Sequence, residues 1–258
     1  ELYTELLYNK RETFFDGSGQ VWQFGVGETN GGLVEILFDI PGFPADIGDP
    51  FATGFGGPAL FSPTAFIDWY DSSQEIDYYR GVLGLRGDIS SSWSYDLYGQ
   101  YSRSDGDYTN QRVLQDSIDT QDFRFGSCVG TVTAVTGRPC VDVDWYSGRV
   151  MYGDFTPEEL AFLTDTETGN TKYTQWYVEG IVTGDLFELW GDGPVGVAFG
   201  ANFRTDEIND VPGAITLANN AWQSGGAGIT AGKAEYLEAF GEVNIPLLAD
   251  LPLIQSLN

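Results

Sequence analysis

Histidine is absent from these 258 residues, methionine occurs once and cysteine twice, and 12 basic residues stand against 38 acidic ones. Each shortage excludes something. Without histidine there is no imidazole for general acid–base work. It also removes the commonest haem and zinc ligand, although tyrosine can still ligate haem iron. So few Lys and Arg cannot neutralise a phosphate backbone, so nucleic acid is excluded as a partner. No run approaches the ~18 to 20 consecutive apolar residues of a membrane-spanning helix. There is no Gly-x-Ser-x-Gly elbow. The Gly-rich spots Gly25-Val26-Gly27 and Ser224–Gly228 do not sit in a strand–turn–helix unit that would cradle phosphate. Adjacent acids such as Glu158/Glu159 or Asp142/Asp144 are expected by chance at this acidity, so no catalytic residue, cofactor or metal site is assigned.

What is present is apolar and aromatic residue in quantity, 42% and 15% of the chain, with 34 glycines. That is too much for disorder and suits strands and turns. The strongest pattern is period-two alternation. Trp93, Tyr95, Leu97, Gly99 and Tyr101 fall on one side; Ser94, Asp96, Tyr98, Gln100 and Ser102 fall on the other. The same alternation recurs, giving six strands near 2–8, 77–87, 93–104, 173–183, 194–205 and 234–244. The polar side carries Arg80, Arg86, Asp96, Glu179, Arg204 and Glu242. Facing a dry core, such ionisable groups would each cost several kcal/mol unless paired; facing a wet lumen they do not.

The connections alternate between short turns and long loops, the latter spanning 9–76, 105–171 and 206–232. Compact soluble domains rarely carry unstructured loops above ~12 to 15 residues. Long loops on one side and short turns on the other are the layout of an outer-membrane β-barrel, whose strands cross in ~9 to 11 residues. Aromatics near strand ends (Tyr78, Tyr79, Trp93, Tyr101, Trp176, Trp190, Phe203) suit interfacial girdles. A soluble all-β sandwich or barrel that binds glycans is an alternative, as is a passive porin. The first residues, Glu1–Leu6, carry no basic segment or small-residue cleavage site, and both ends fall in patterned sequence. A piece of a longer chain is therefore expected.

Several segments resemble the barrel of TonB-dependent outer-membrane receptors of Gram-negative bacteria. They are Tyr79–Asp88, Trp93–Asp96, Gln100–Asp105, Gly184–Phe187, Gly193–Arg204 and Phe240–Leu248. The resemblance implies an all-β, antiparallel segment of about six strands from a 22-stranded barrel that is closed by a plug. It also implies active uptake of a nutrient, siderophore or carbohydrate in the cell outer membrane, with no reaction catalysed. The plug that couples such receptors to TonB, and the C-terminal strands, have no counterpart here. The implied surroundings are outer-membrane lipid and lipopolysaccharide, with an unknown small-molecule or oligosaccharide ligand at the loops. Arg80, Arg86, Asp96, Glu179, Arg204 and Glu242 would face the lumen.

Within the long loops, Cys128 and Cys140 are expected to pair, because two thiolates without further donors make a poor zinc cage. Thr156-Pro157-Glu158-Glu159 reads as a capped helix start. Asp105-Gly106-Asp107 and Asp142-Val143-Asp144 offer oxygen donors of the kind calcium takes. Candidate ligand contacts are the loop aromatics and acids Trp145, Tyr146, Asp142, Asp144 and Trp222.

Overall fold

The computed structural model describes residues 1–22, 64–121, 127–145, 147–188, 193–251 and 254–257. Six long strands form one antiparallel sheet: β1 (Leu2–Phe15), β4 (Ser72–Asp88), β5 (Trp93–Val113), β6 (Thr164–Glu188), β7 (Pro194–Val211) and β8 (Thr230–Asn244), paired in that order. Its two edges, β1 and β8, are not paired with each other. Two small hairpins stand apart: β2 (Gly19–Trp22) with β3 (Thr64–Ile67), and β9 (Leu248–Leu251) with β10 (Ile254–Leu257). Four short helices complete the described chain: α1 (Gln115–Thr120), α2 (Gly148–Met151), α3 (Pro157–Leu163) and α4 (Ala214–Leu217).

The six expected strands are there, but they run further than the alternation reveals. β5 continues to Val113 and β6 begins at Thr164. The loop expected over 105–171 therefore shrinks to 114–163, and the loops at 9–76 and 206–232 shrink to 16–71 and 212–229. Asp105-Gly106-Asp107 accordingly lies within a strand. Short and long connections still alternate, with residues 89–92 closing the tightest turn. There the N–H groups of Ile89 and Ser90 donate to the carbonyl of Trp93 at 2.8 and 3.2 Å.

A register that shifts only between Asp185 and Glu188, at the end of β6, fixes two faces. Leu85 pairs with Leu97, Leu97 with Gly180, Gly180 with Ala201 and Ala201 with Ala239. Directly paired residues share a face, so these five and their period-two neighbours form one apolar surface. It has little cover: Leu6 is 83% exposed and Leu237 82%.

The packed core lies elsewhere. Val21, Ala65 and Ile67 of the β2–β3 hairpin meet Ile118, Val143, Trp145, Val150, Phe155, Phe162 and Leu163 of the connection 114–163. Two long connections thus fold together into a compact unit at one end of the sheet. The third joins through Trp222, which packs on this core and donates its main-chain N–H to the Val113 carbonyl at 2.8 Å.

Candidate functional site

Two regions carry the polar chemistry: the second face of the sheet and the loop unit. On the sheet, the register places Arg80, Arg86, Asp96, Glu179, Arg204 and Glu242 together on the face opposite Leu97. Side chains there hydrogen-bond from strand to strand. Arg80 donates to Glu5 at 3.1 Å and to Gln100 at 2.8 Å. Gln100 donates to Gln175 at 3.2 Å, and Gln175 donates to Asp206 at 2.8 Å. The chain therefore crosses β1, β4, β5, β6 and β7. Arg204 pairs with Asp206 at 3.1 Å and lies 4.4 Å from the Tyr236 ring centroid. Arg86 is bound by Glu1, at 3.1 and 3.2 Å, rather than by Asp96. Asp96 instead accepts from the Tyr3 hydroxyl at 2.8 Å. The Tyr177 hydroxyl donates to Glu179. The result is a wall of amides, acids, guanidinium groups and phenols, many of them oriented by a neighbour, while Asn202 Oδ1 is buried with no hydrogen-bond partner. Nothing in the sequence announces which partners meet, because that depends on register.

In the loop unit, Cys128 and Cys140 form the expected disulfide, with their Cα atoms 5.7 Å apart. Together with Asp142 they are the only group of three metal-type donors among the described residues. Both sulfurs are committed to each other, so no thiolate is left to hold a metal. Asp142 braces the bridge: its carboxylate accepts the Cys128 N–H at 2.7 Å and the Ser127 hydroxyl. Trp145 is 3% exposed and meets Phe155 edge-on at 6.2 Å, so it offers no face to a ligand in this arrangement. Trp222 is half-buried against the same core. Asp144 is exposed, and its main-chain carbonyl caps the turn into α2 by accepting from Ser147. Tyr146 lies outside the described residues. Of the four described candidates, Trp145 and Trp222 thus share the loop core, while Asp142 and Asp144 are exposed.

Buried polar residues without a strong sequence signal hold the unit together. Asp116, 4% exposed, accepts from the Val135 and Thr136 N–H groups at 3.1 and 2.8 Å, from the Thr136 hydroxyl at 3.0 Å and from Asn220 at 2.8 Å. Asn220 returns the contact by accepting the Asp116 N–H at 2.8 Å. One carboxylate thereby ties the disulfide loop to the connection after β7. Burial raises the Asp116 carboxyl, but these hydrogen bonds outweigh it and hold the group below its ordinary value. Glu159 is the third residue of α3. It takes both Arg149 Nη atoms at 2.6 and 2.8 Å and closes the expected capping box with Thr156. Its carboxyl is likewise raised by burial and lowered further by Arg149 and Thr156, the lowering being the larger. The only sequence signal for either residue is the Thr-x-x-Glu spacing at Glu159.

A search for related proteins leaves this geometry to speak for itself: no family model, curated protein or solved structure matches the chain.

Proposed function

We propose that the sheet is part of the wall of an outer-membrane β-barrel, with the Leu97 face on lipid and the Arg80 face on an aqueous lumen. One observation carries this. The Leu97 face holds no charged residue from the short-turn end up to a line of large side chains. That line is Tyr8, Tyr79, Tyr101, Trp176, Phe203 and Leu237, one per strand. Just beyond it, within two to four residues along each strand, the same face becomes charged: Lys10, Asp77, Arg103, Lys172, Glu207 and Glu235. A soluble sheet has no reason to end its apolar surface on a line.

The dimensions agree. From Trp93 to Tyr101 the strand covers about 26 Å at ~3.3 Å per residue, which the tilt derived below reduces to a height of about 22 Å, near the ~25 Å lipid band of such barrels. The line is also slanted relative to the hydrogen-bond rows. Tyr8 is paired with Tyr79, Tyr101 with Trp176 and Phe203 with Leu237, but Tyr79 is paired with Arg103 and Trp176 with Thr205. Between these pairs the edge drops two residues, close to one residue per strand over the six. With a rise of ~3.3 Å and a strand spacing of ~4.8 Å, a level edge then requires strands tilted by about 30 to 35°. Membrane barrels tilt theirs by ~35 to 45°.

The transport reading rests on the resemblance of the strand and turn segments to TonB-dependent receptors. In it, the lumen wall is the polar network, and the loop unit stands at the mouth where ligand is captured. Fractionating expressing bacteria tests the membrane placement. The protein should sediment with the outer membrane and leave it only in detergent; recovery in the soluble fraction after lysis would refute the proposal.

A further inference from the structure

The polar face repeats one combination of groups. Arg86 lies 5.4 Å from the centroid of the Tyr3 ring, with the Glu1 carboxylate on its guanidinium. Arg204 lies 4.4 Å from the Tyr236 ring centroid, with Asp206 at 3.1 Å. Each is a guanidinium shared between a tyrosine ring and a carboxylate, a pairing that suits its flat, weakly hydrated cation. A third instance lacks its cation. Glu179 accepts the Tyr177 hydroxyl, and the Tyr177 and Tyr98 ring centroids are 5.7 Å apart. From Arg80 to the short-turn end, the cations on this face among the described residues are Arg80, Arg86 and Arg204. All are taken, by Glu5, Glu1 and Asp206, and none pairs with Glu179.

Resting on the barrel reading above, we infer that the row around Glu179 binds the guanidinium group of a solute passing down the lumen. Asn202, the register partner of Glu179 on β7, is 8% exposed, and its buried Oδ1 accepts no hydrogen bond among the described residues. Beyond it on β8 stands Glu238, exposed and likewise without a basic partner among the described residues. Tyr98, Glu179, Asn202 and Glu238 thus form one row across four strands, about 14 Å wide at ~4.8 Å per strand. The unfilled hydrogen-bonding capacity of this row is that of an acceptor, and a buried acceptor without a donor is unfavourable. The group that fits is one that only donates, and guanidinium has five N–H donors and no acceptor. A small metal ion fits less well, because three metal-type side chains converge, among the described residues, only at Cys128, Cys140 and Asp142. The uptake substrate is therefore a guanidinium-bearing solute, held part-way down the wall by carboxylate, amide oxygen and tyrosine rings.

Calorimetric titration of the detergent-solubilised protein, its folding checked by heat-modifiable mobility, tests this with two probes. Arginine amide and citrulline amide differ by a guanidinium in place of a neutral urea. The wild type should bind the first about ten-fold more tightly or better, the effect of one hydrogen bond to a charged group. Glu179→Gln and Asn202→Leu should each erase that preference. Asn202→Asp should widen it, which keeps the test decisive where the other two variants fail to fold. Glu242→Gln, four residues further along β8 on the same face, should leave it unchanged. Equal affinity for both probes, binding of neither by the folded wild type, or a preference that Glu179→Gln and Asn202→Leu leave intact would overturn the inference. So would its loss in Glu242→Gln, which would trace it to diffuse wall charge. A wild type that shows no heat-modifiable mobility would count instead against the barrel reading, whichever probe it binds.

Discussion

Tyr3 occupies the space that a side chain at Gly84 would fill. The two are direct partners across β1 and β4, and a Cβ on Gly84 would stand 2.0 Å from Cζ of the Tyr3 ring. The same relationship joins Trp93 to Gly184, Phe240 to Gly200 and Tyr108 to Gly169, where the clash would be at 2.2, 2.2 and 2.4 Å. A large ring over a paired glycine fills the gap the glycine leaves and pins the register. Gly84→Val should displace Tyr3, break its hydrogen bond to Asp96 and cost about 1 to 3 kcal/mol, the usual range for overpacking. Gly99→Ala is the control, because its nearest neighbours are at 3.8 and 3.9 Å. Thermal unfolding should separate the two variants.

Leu97 and Tyr98 are adjacent in β5 and sit on opposite faces. Arginine at 97 would enter the charge-free band and should cost about 2 to 4 kcal/mol in a bilayer. Arginine at 98 would stand opposite Glu179, its register partner, and should be tolerated. Heat-modifiable gel mobility after outer-membrane assembly compares them. Equal folding of the two variants would contradict the assignment of faces.

The disulfide closes a sequence separation of 12 residues, which the chain-entropy estimate values at roughly 3 kcal/mol. Its contribution should be confined to the loop unit, because the sheet is held by its own ladders. Replacing Cys128 and Cys140 with Ser should increase protease cutting between 114 and 163 and leave the heat-resistant sheet intact. Loss of the folded sheet would show that the loop unit supports the wall.

Asp116 and Glu159 both have carboxyls held below their ordinary values. Such groups stabilise the folded unit above the unfolded carboxyl range and lose that contribution as pH falls through the folded value. The loop unit should therefore loosen below about pH 4, which loss of its near-ultraviolet circular dichroism would report. Asp116→Asn removes an acceptor from buried donors and should cost about 1 to 3 kcal/mol at neutral pH, with a shallower dependence on acid. An unchanged acid midpoint in that variant would rule out Asp116 as a source of the effect.

The strands are legible where one face meets something apolar. From Trp93 to Tyr101 the alternation is plain. From Arg103 to Val113, and from Thr164 to Tyr173, both faces are polar, so the period-two signal vanishes while the ladder continues. The pattern therefore makes the loops look longer than they are. The cysteines and the capping box at Thr156 are readable because their chemistry is local. The core joining the β2–β3 hairpin to residues 114–163 is not, since it brings together segments far apart in sequence. Trp145 looks available for ligand because nothing near it in sequence reveals that Phe155 and Gln121 enclose it.

The central claim is that one face of this sheet meets lipid and the other water, with a boundary at the aromatic line. Spin labels placed singly along β6 in native membranes measure it directly, since Cys128 and Cys140 are bonded to each other and will not take label. Accessibility to oxygen against a water-soluble nickel complex is read at each position. The account predicts lipid values at 176, 178, 180 and 182, aqueous values at 177, 179 and 181, and a change to aqueous values at 174 and 172. Nickel access on both faces throughout, or lipid values at 177, 179 and 181, would contradict it.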